Sequence, residues 1–453
     1  MTSLYRGNFA LAGIALLALA GCATTPQQTY SELADQSLEQ TFSWQGAQNN
    51  AVEAMQLTDL MNIPELNDLI VQALDSNPGV QQTLLALKMA YAQRTSTTSD
   101  SKPSVTAGFD AYKEDGSDTT FSPDVTVSWE MDIWKRLADN SSAAAKDIAS
   151  SAASLQSARD TLAADIMRAW LQIAYQQQVV EIQSARLKVL DANESIILEQ
   201  YRAGLGDLDD LDTARTSSAT ARSSLASYSE ELASSKRDLT LLVGLLGQDL
   251  NLNIGSEFPE VMTPLASLPE QDLARRPDLQ SAYLDIEAED YRAKAAYKDM
   301  LPSLSLSASV TDSNTSLVES LFTDPVWSLL GSLSAPVFNA GSLKASAEIA
   351  ELTAENAYWA YQETLLTAVY EVEEALGQEN SLALQQQHLE DALKNAQSSF
   401  QHYQENYREG LVDISDLISS QTSLFDAQAQ LAQAKFNRLY NRISLGLALG
   451  LGV

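Results

Sequence analysis

The sequence predicts an α+β membrane protein in which four transmembrane β-strands per chain continue into a long α-helical coiled-coil tube, with the whole plan written twice. Three observations predict it. Four stretches alternate apolar with polar residues, a span from Leu137 to Ala203 runs without proline or glycine, and one hairpin sequence occurs in two copies. The copies read "YRAGLGDLDDL" at 201–211 and "YREGLVDISDL" at 407–417, identical at seven of eleven positions and 206 residues apart.

The 453-residue chain opens on "MTSLYRGNFALAGIALLALAGCATTPQQ", in which Arg6 precedes an apolar run from Phe9 to Ala20. That is a secretory signal, residues 1–21, too short to cross a membrane as a helix and no part of the fold. Leu19-Ala20-Gly21-Cys22 has the form of a lipoprotein processing box. Cys22 is therefore expected to carry a covalent N-terminal lipid and to begin a single mature protomer, residues 22–453. A plain signal peptide with an incidental cysteine is the competing reading. Cys22 is the only cysteine, so no intrachain disulfide holds this exported chain together. Ala23 follows it, which by similarity to bacterial lipoproteins favours the outer membrane over retention at the inner one.

Composition excludes several function classes. With 60 acidic and 28 basic residues the net charge is −32, the wrong sign for nucleic acid. His388 and His402 are the only histidines, and no Cys/His cluster has ligand spacing, so no metal site and no other cofactor is expected. No Gly-rich phosphate loop follows a strand and no glycine-flanked nucleophile is present, so the chain does not read as an enzyme. Glu373 and Glu374 read as a solvated helix face.

The strands are expected at about 103–134 and 302–338. Val125, Val127, Trp129, Met131 and Ile133 oppose Thr126, Ser128, Glu130 and Asp132; Leu304, Leu306, Ala308 and Val310 oppose four serines. This is the length and alternation of strands with lipid on one face and water on the other. An open four-stranded sheet leaves unpaired edges in lipid, so several copies must close a barrel. The helical tube is expected at about 138–245 and 340–450. Heptad spacing at Ile166, Ile173, Val180 and Leu187 supports it. Two adjacent seams in the last helix, Leu417/Leu424/Leu431 and Ile418/Phe425/Ala432/Leu439, imply neighbours on both sides. Repeat one spans about 70–245 and repeat two about 275–450, each ending a long helix in the copied hairpin. Gly204 and Gly410 can end those helices in the left-handed conformation, and Asp207 and Asp413 can cap the returning ones.

The chain resembles the outer-membrane efflux duct family, the TolC-like and OprM-like proteins. The residues that carry the resemblance are "SWEMDIWKRL" (128–137), "ARRPDL" (274–279), "LPSLSLSAS" (301–309), "APVFNAGSL" (335–343) and "YREGLVDISDLISSQTSLFDAQAQLAQA" (407–434). "RRPDL" and the processing box resemble the lipid-anchored branch that serves tripartite RND-type pumps.

The resemblance implies a homotrimer with a 12-stranded barrel in the outer membrane and a long periplasmic extension. Its implied partners are a periplasmic adaptor (membrane fusion) protein and an inner-membrane RND-type transporter. It also implies an equatorial region, here about 23–70, 246–275 and 377–395, and a periplasmic gate at the hairpins. Carried onto this chain, the gate residues are Asp416, Asp413, Asp210, Asp207, Arg202 and Arg408. The adaptor-docking residues are Tyr201, Gly204, Leu205, Tyr407, Gly410 and Leu411. Ser419 stands where some relatives carry a second acid, which leaves Asp413 as the substitute. An acidic ring at a constriction raises pKa values or binds cations, whereas a lone aspartate there is only a cap. Arg202 and Arg408 either hold the closed tip by pairing with such carboxylates or make surface pairs of no consequence.

Three functions remain open: a passive exit duct for small toxic compounds, a duct for one-step (type I) protein secretion, and a non-conducting periplasmic coiled-coil scaffold. The processing box and "RRPDL" favour the first; the alternating strands argue against the third.

Overall fold

The computed structural model describes residues 29–38, 44, 54–245, 254–266, 269–320 and 323–453. The signal segment, Cys22 and most of the expected equatorial stretches before 54 and at 246–253 lie outside the described residues. Helix α1 spans Tyr30–Leu38, and a short 3-10 turn spans Leu57–Leu60. Then come α2 (Pro64–Ser76), α3 (Pro78–Ser99), β1 (Ser104–Tyr112), β2 (Thr120–Met131), α4 (Arg136–Arg202) and α5 (Leu208–Val243). The same order follows in α6 (Pro269–Arg275), α7 (Pro277–Lys298), β3 (Ser303–Thr311), β4 (Val326–Ser334), α8 (Ser342–Arg408) and α9 (Ile414–Ala448). Helices α4 and α8 are each 67 residues long, and α5 and α9 are 36 and 35.

The 22-residue helices α3 and α7 before each strand pair were not expected from the alternation pattern. Their start signals are local: Pro78 and Pro277 each hold the first helical position, where the missing N–H costs nothing. Asn77 helps both ends of its junction. Its Oδ1 accepts from the N–H groups of Gly79 and Val80, and its Nδ2 donates to the Leu242 carbonyl. Residues 377–395, expected as an equatorial stretch, form part of the uninterrupted helix α8, Gly377 included.

By internal contacts the chain divides into two units. The first comprises Met1–Gln40, Leu84–Ser154 and Asp278–Leu365; the second comprises Thr41–Thr83, Leu155–Pro277 and Leu366–Val453.

The first unit carries one antiparallel sheet in the order β1-β2-β3-β4. Its register puts Val105, Val127, Ala308 and Leu329 in one cross-strand row, and Thr106, Thr126, Ser309 and Ser328 in the next. Adjacent rows point to opposite faces, so one face is aliphatic and the other is built largely of serine and threonine. Leu330, in the row of Ser104, Ser128 and Ser307, is an apolar exception on the hydroxyl face. Every residue of β1 and β4 is exposed. Below the sheet, α4 and α7 are joined by Lys146–Glu287 at 2.6 Å and by the pairs Arg292–Asp147 and Lys298–Asp139. Helix α1 docks through buried Asp290, which accepts from the N–H groups of Tyr30 and Ser31 and from the Ser31 hydroxyl.

The second unit has the larger apolar core, in which Leu57, Leu60, Met61 and Leu66 meet Ile166, Met167, Leu171 and Ile173 of α4. The C-terminus closes it: Gln56 bridges Gly452, and the Val453 N–H donates to Asp160 at 2.9 Å. Burial pushes the Asp160 carboxyl up, against the opposing pull of that N–H and of the Gln156 amide.

Four helices lie side by side in this unit. Arg222 reaches from α5 to Asp191 of α4, and Arg186 from α4 to Asp426 of α9, each at 2.8 Å. Tyr175 of α4 stacks on Phe436 of α9 with centroids 5.0 Å apart. Arg438 and Arg442 of α9 both hold Glu379 of α8, at 2.9 and 3.0 Å. Helix α9 therefore has a neighbour on each side, as its two seams require.

Candidate functional site

The two copied hairpins adopt the same backbone solution. At the end of α4 the Gly204 N–H donates to the Tyr201 carbonyl at 3.0 Å, and the Leu205 N–H to the Gln200 carbonyl at 2.8 Å. At the end of α8 the Gly410 N–H donates to Tyr407 at 3.1 Å, and the Leu411 N–H to Asn406 at 2.8 Å. This is the Schellman arrangement, which needs a left-handed residue: φ is 70° at Gly204 and 75° at Gly410. No heavy atom lies within 4 Å of a Cβ added at either glycine, so the requirement is conformational and not steric.

The returning helices start on aspartates. Asp207 accepts from the Asp210 N–H at 2.9 Å, and Asp413 from the Asp416 N–H at 3.0 Å. Asp413 takes a second bond, from the Ser415 hydroxyl at 2.7 Å, which the first copy lacks because Asp209 stands there. The Ser415 hydroxyl and, after it, the Asp416 N–H hold the Asp413 carboxyl below its ordinary value. Asp210 and Asp416 lie in the first helical turn, where the free N–H groups favour negative charge.

Each hairpin thus sets its predicted residues on the last turn of one helix, the connecting turn and the first turn of the next. Leu205 and Leu411 are open to solvent, at 82% and 68% exposure; Tyr201 is exposed and Tyr407 is half-buried. Arg202 and Arg408 close the last turns of α4 and α8, where a cation suits the helix terminus. Among the described residues neither arginine forms an ion pair, and no hydrogen bond joins one hairpin to the other. Ser419 is exposed on α9, one turn beyond Asp416. The site so built is an apolar knob on each turn with carboxylates at its base, suited to contact and charge and not to bond-making.

Sequence reasoning missed residues that hold the helices beneath this site. Glu379, 6% exposed, sits under two arginines, and Arg442 also reaches the Val261 carbonyl at 2.6 Å. Arg276 of "RRPDL", 7% exposed, bonds Glu371 and the Ala448 carbonyl at the end of α9. The spacing of Arg438 and Arg442, one turn apart on α9, was the available signal for the first. No group of three potential metal ligands occurs among the described residues. No helix there is long and apolar enough to cross a membrane.

Comparison with known proteins places these features in one family. The family described as outer membrane efflux protein matches residues 69–245 and 268–451, the two stretches that share one element order. The pyoverdine export outer membrane protein OpmQ of Pseudomonas putida is 26% identical over 407 residues, covering 86% of each chain. The cation efflux system protein CusC of Escherichia coli is 26% identical over 450 residues, covering 96% of this chain and 97% of the relative. Among solved structures, the CmeC outer membrane channel of Campylobacter jejuni superposes with a TM-score of 0.82 at 19% identity, covering 91% of this chain and 93% of that one. The open-state MtrE outer membrane channel of Neisseria gonorrhoeae gives 0.81 at 21% identity, covering 95% and 98%. The chain belongs to the outer membrane efflux protein family, whose members are transport ducts of the outer membrane and not enzymes.

Proposed function

We propose that this protein is the exit duct of a tripartite efflux pump. In this reading three copies, each with two repeats, contribute four strands apiece to a 12-stranded barrel, and the long helices form a periplasmic tube. Cys22 carries the lipid anchor. The observation that carries the reading is the sheet itself. It has an exposed aliphatic face, a hydroxyl-rich face and two strands, β1 and β4, with no partner on their outer edges among the described residues. Such a sheet is untenable in water and incomplete in lipid, and closure by further copies resolves both.

The copied hairpins form the periplasmic tip. Leu205 and Leu411 offer docking knobs to an adaptor protein, with Tyr201, Tyr407 and the glycine turns shaping the surface. Asp413 and Asp416, with Asp207 and Asp210, line the constriction. Among the described residues Arg202 and Arg408 form no ion pair; in this reading carboxylates of a neighbouring copy face them. Relatives of equal similarity are named for pyoverdine, cations and toluene, which is why substrate choice is assigned to the pump and not to the duct. Drugs and other small toxic compounds are the expected cargo. Protein secretion by the same architecture is the runner-up.

The purified full-length protein, reconstituted into vesicles loaded with a small fluorescent cation, tests this reading. A native mass of three chains and slow release of the cation are expected. A single-chain mass, or trimers that release nothing even when the hairpin aspartates are removed, would contradict it.

A further inference from the structure

The two ends of the sheet differ in charge. At the hairpin end, residues 110–124 and 311–326 hold one lysine, Lys113, against eight carboxylates. At the helix end, residues 100–104, 129–137, 298–303 and 334–344 hold five basic residues against four acids, in a chain of net charge −32. The acids there are mostly committed. Glu130 and Asp299 face Arg136 at 2.8 and 3.4 Å, and Asp132 accepts from the N–H groups of Leu137 and Ala138 at the start of α4. Lys102, Lys135 and Lys344 are exposed and form no ion pair among the described residues, with Asp100 the remaining exposed acid.

Apolar side chains are interleaved with these lysines. The turns from β2 to α4 and from β4 to α8 share a left-handed residue, Lys135 at φ 61° and Ala340 at φ 51°. Each turn presents an apolar–aromatic pair, Ile133-Trp134 in one and Val337-Phe338 in the other, with Phe338 90% exposed. The Trp134 indole donates to the Pro302 carbonyl at 2.7 Å and that of Trp129 to the Ser101 carbonyl at 3.0 Å, fixing both rings at this level. The row Met131, Leu304 and Leu333 leads the aliphatic face of the sheet directly into these turns.

We propose that the helix end of the sheet is a collar for anionic phospholipid. Lys102, Lys135 and Lys344 meet lipid phosphates, while Ile133, Trp134 and Phe338 enter the boundary between headgroups and acyl chains. The proposal rests on the duct reading, since it takes the sheet to stand in a bilayer with this end toward the periplasmic leaflet.

The test is native mass spectrometry of the full-length protein released from nanodiscs of phosphatidylcholine mixed with phosphatidylglycerol. Wild type is compared with K102Q/K135Q/K344Q and with K188Q/K236Q/K394Q, an equal charge loss at exposed helical positions outside the collar. Wild type and the second variant should retain phosphatidylglycerol in preference to phosphatidylcholine, and the collar variant should lose that preference by about fivefold or more. Equal retention by all three would overturn the proposal. So would loss of the oligomer in the collar variant alone, which would assign these lysines to a second copy of the chain. Unchanged retention in a collar variant that a docked adaptor no longer recognises would overturn it in favour of a protein partner. Cation release from vesicles, measured in parallel, reports on the duct reading separately, because the collar lysines are not among the residues of the copied hairpins.

Discussion

Gly410 and Gly450 have the same φ of 75° and differ in surroundings, so alanine at each separates two costs. At Gly410 and Gly204 only the left-handed conformation is penalised, by about 1–2 kcal/mol. At Gly450 an added Cβ lies 2.9 Å from the Arg275 Cβ and 3.0 Å from the Arg275 backbone carbon. Chemical unfolding followed by helical circular dichroism should therefore rank Gly450→Ala as more damaging than Gly410→Ala. The reverse order would put the steric account in error. Asp413 adds a pH dependence of definite sign. Its folded-state carboxyl lies below the ordinary 3.8, so the cap stabilises the hairpin above that value and the contribution is lost as pH falls through the depressed one. Hydrogen exchange at the Asp416 N–H, followed against pH, should show the loss at higher pH in Ser415→Ala, because the larger of the two causes is then gone. Of these residues the glycines and aspartates were legible, since turn chemistry is local. The Ser415 bond was not read from the sequence, although Ser415 lies only two positions after Asp413.

The helices are held by contacts of very unequal worth. Glu379 has a side chain 7% exposed under the half-buried Arg438 and Arg442, so Glu379→Ala removes charge-assisted bonds to both at a cost of about 1.5–3 kcal/mol. Arg186–Asp426, with side chains 27% and 51% exposed, is screened, and Arg186→Ala should cost under about 1 kcal/mol. Equal effects of the two substitutions on the unfolding midpoint would refute this ranking. The existence of α4, α5, α8 and α9 was legible because heptads, missing prolines and glycine stops act within one element, but the continuity of α8 through Gly377 and 377–395 was not. The ion pairs were not, because Glu379 and Arg442 are 63 positions apart and only the side-by-side order of the helices joins them. Helices α3 and α7 show the opposite failure. They carried proline start signals, but in α3 Leu85, Met89 and Tyr91 are exposed while Val80 is buried and Leu84 and Leu87 are half-buried, so apolar residues fall on every face and the one-sided periodicity that announces a packed helix is missing.

For the molecule as a whole, the proposed duct has the sheet set the orientation toward lipid. Leu329 lies in the aliphatic row with Val105, Val127 and Ala308, whereas Ser305 lies on the hydroxyl face opposite Ser332. Leu329→Arg should impair folding into vesicles by about 2–4 kcal/mol, while Ser305→Arg should fold and alter conduction. The strand pattern was legible to within a few residues, because alternation reports directly on two different solvents. The number of copies was not, because closure is a property of the assembly and no residue within one chain encodes it locally. The most direct test of the gated duct is single-channel conductance in a planar bilayer, wild type beside the double variant Asp413→Ala/Asp416→Ala. Small cation-selective currents that grow and lose selectivity in the variant are the predicted result. Correctly inserted trimers with identical currents in both proteins would contradict a gate at the copied hairpin.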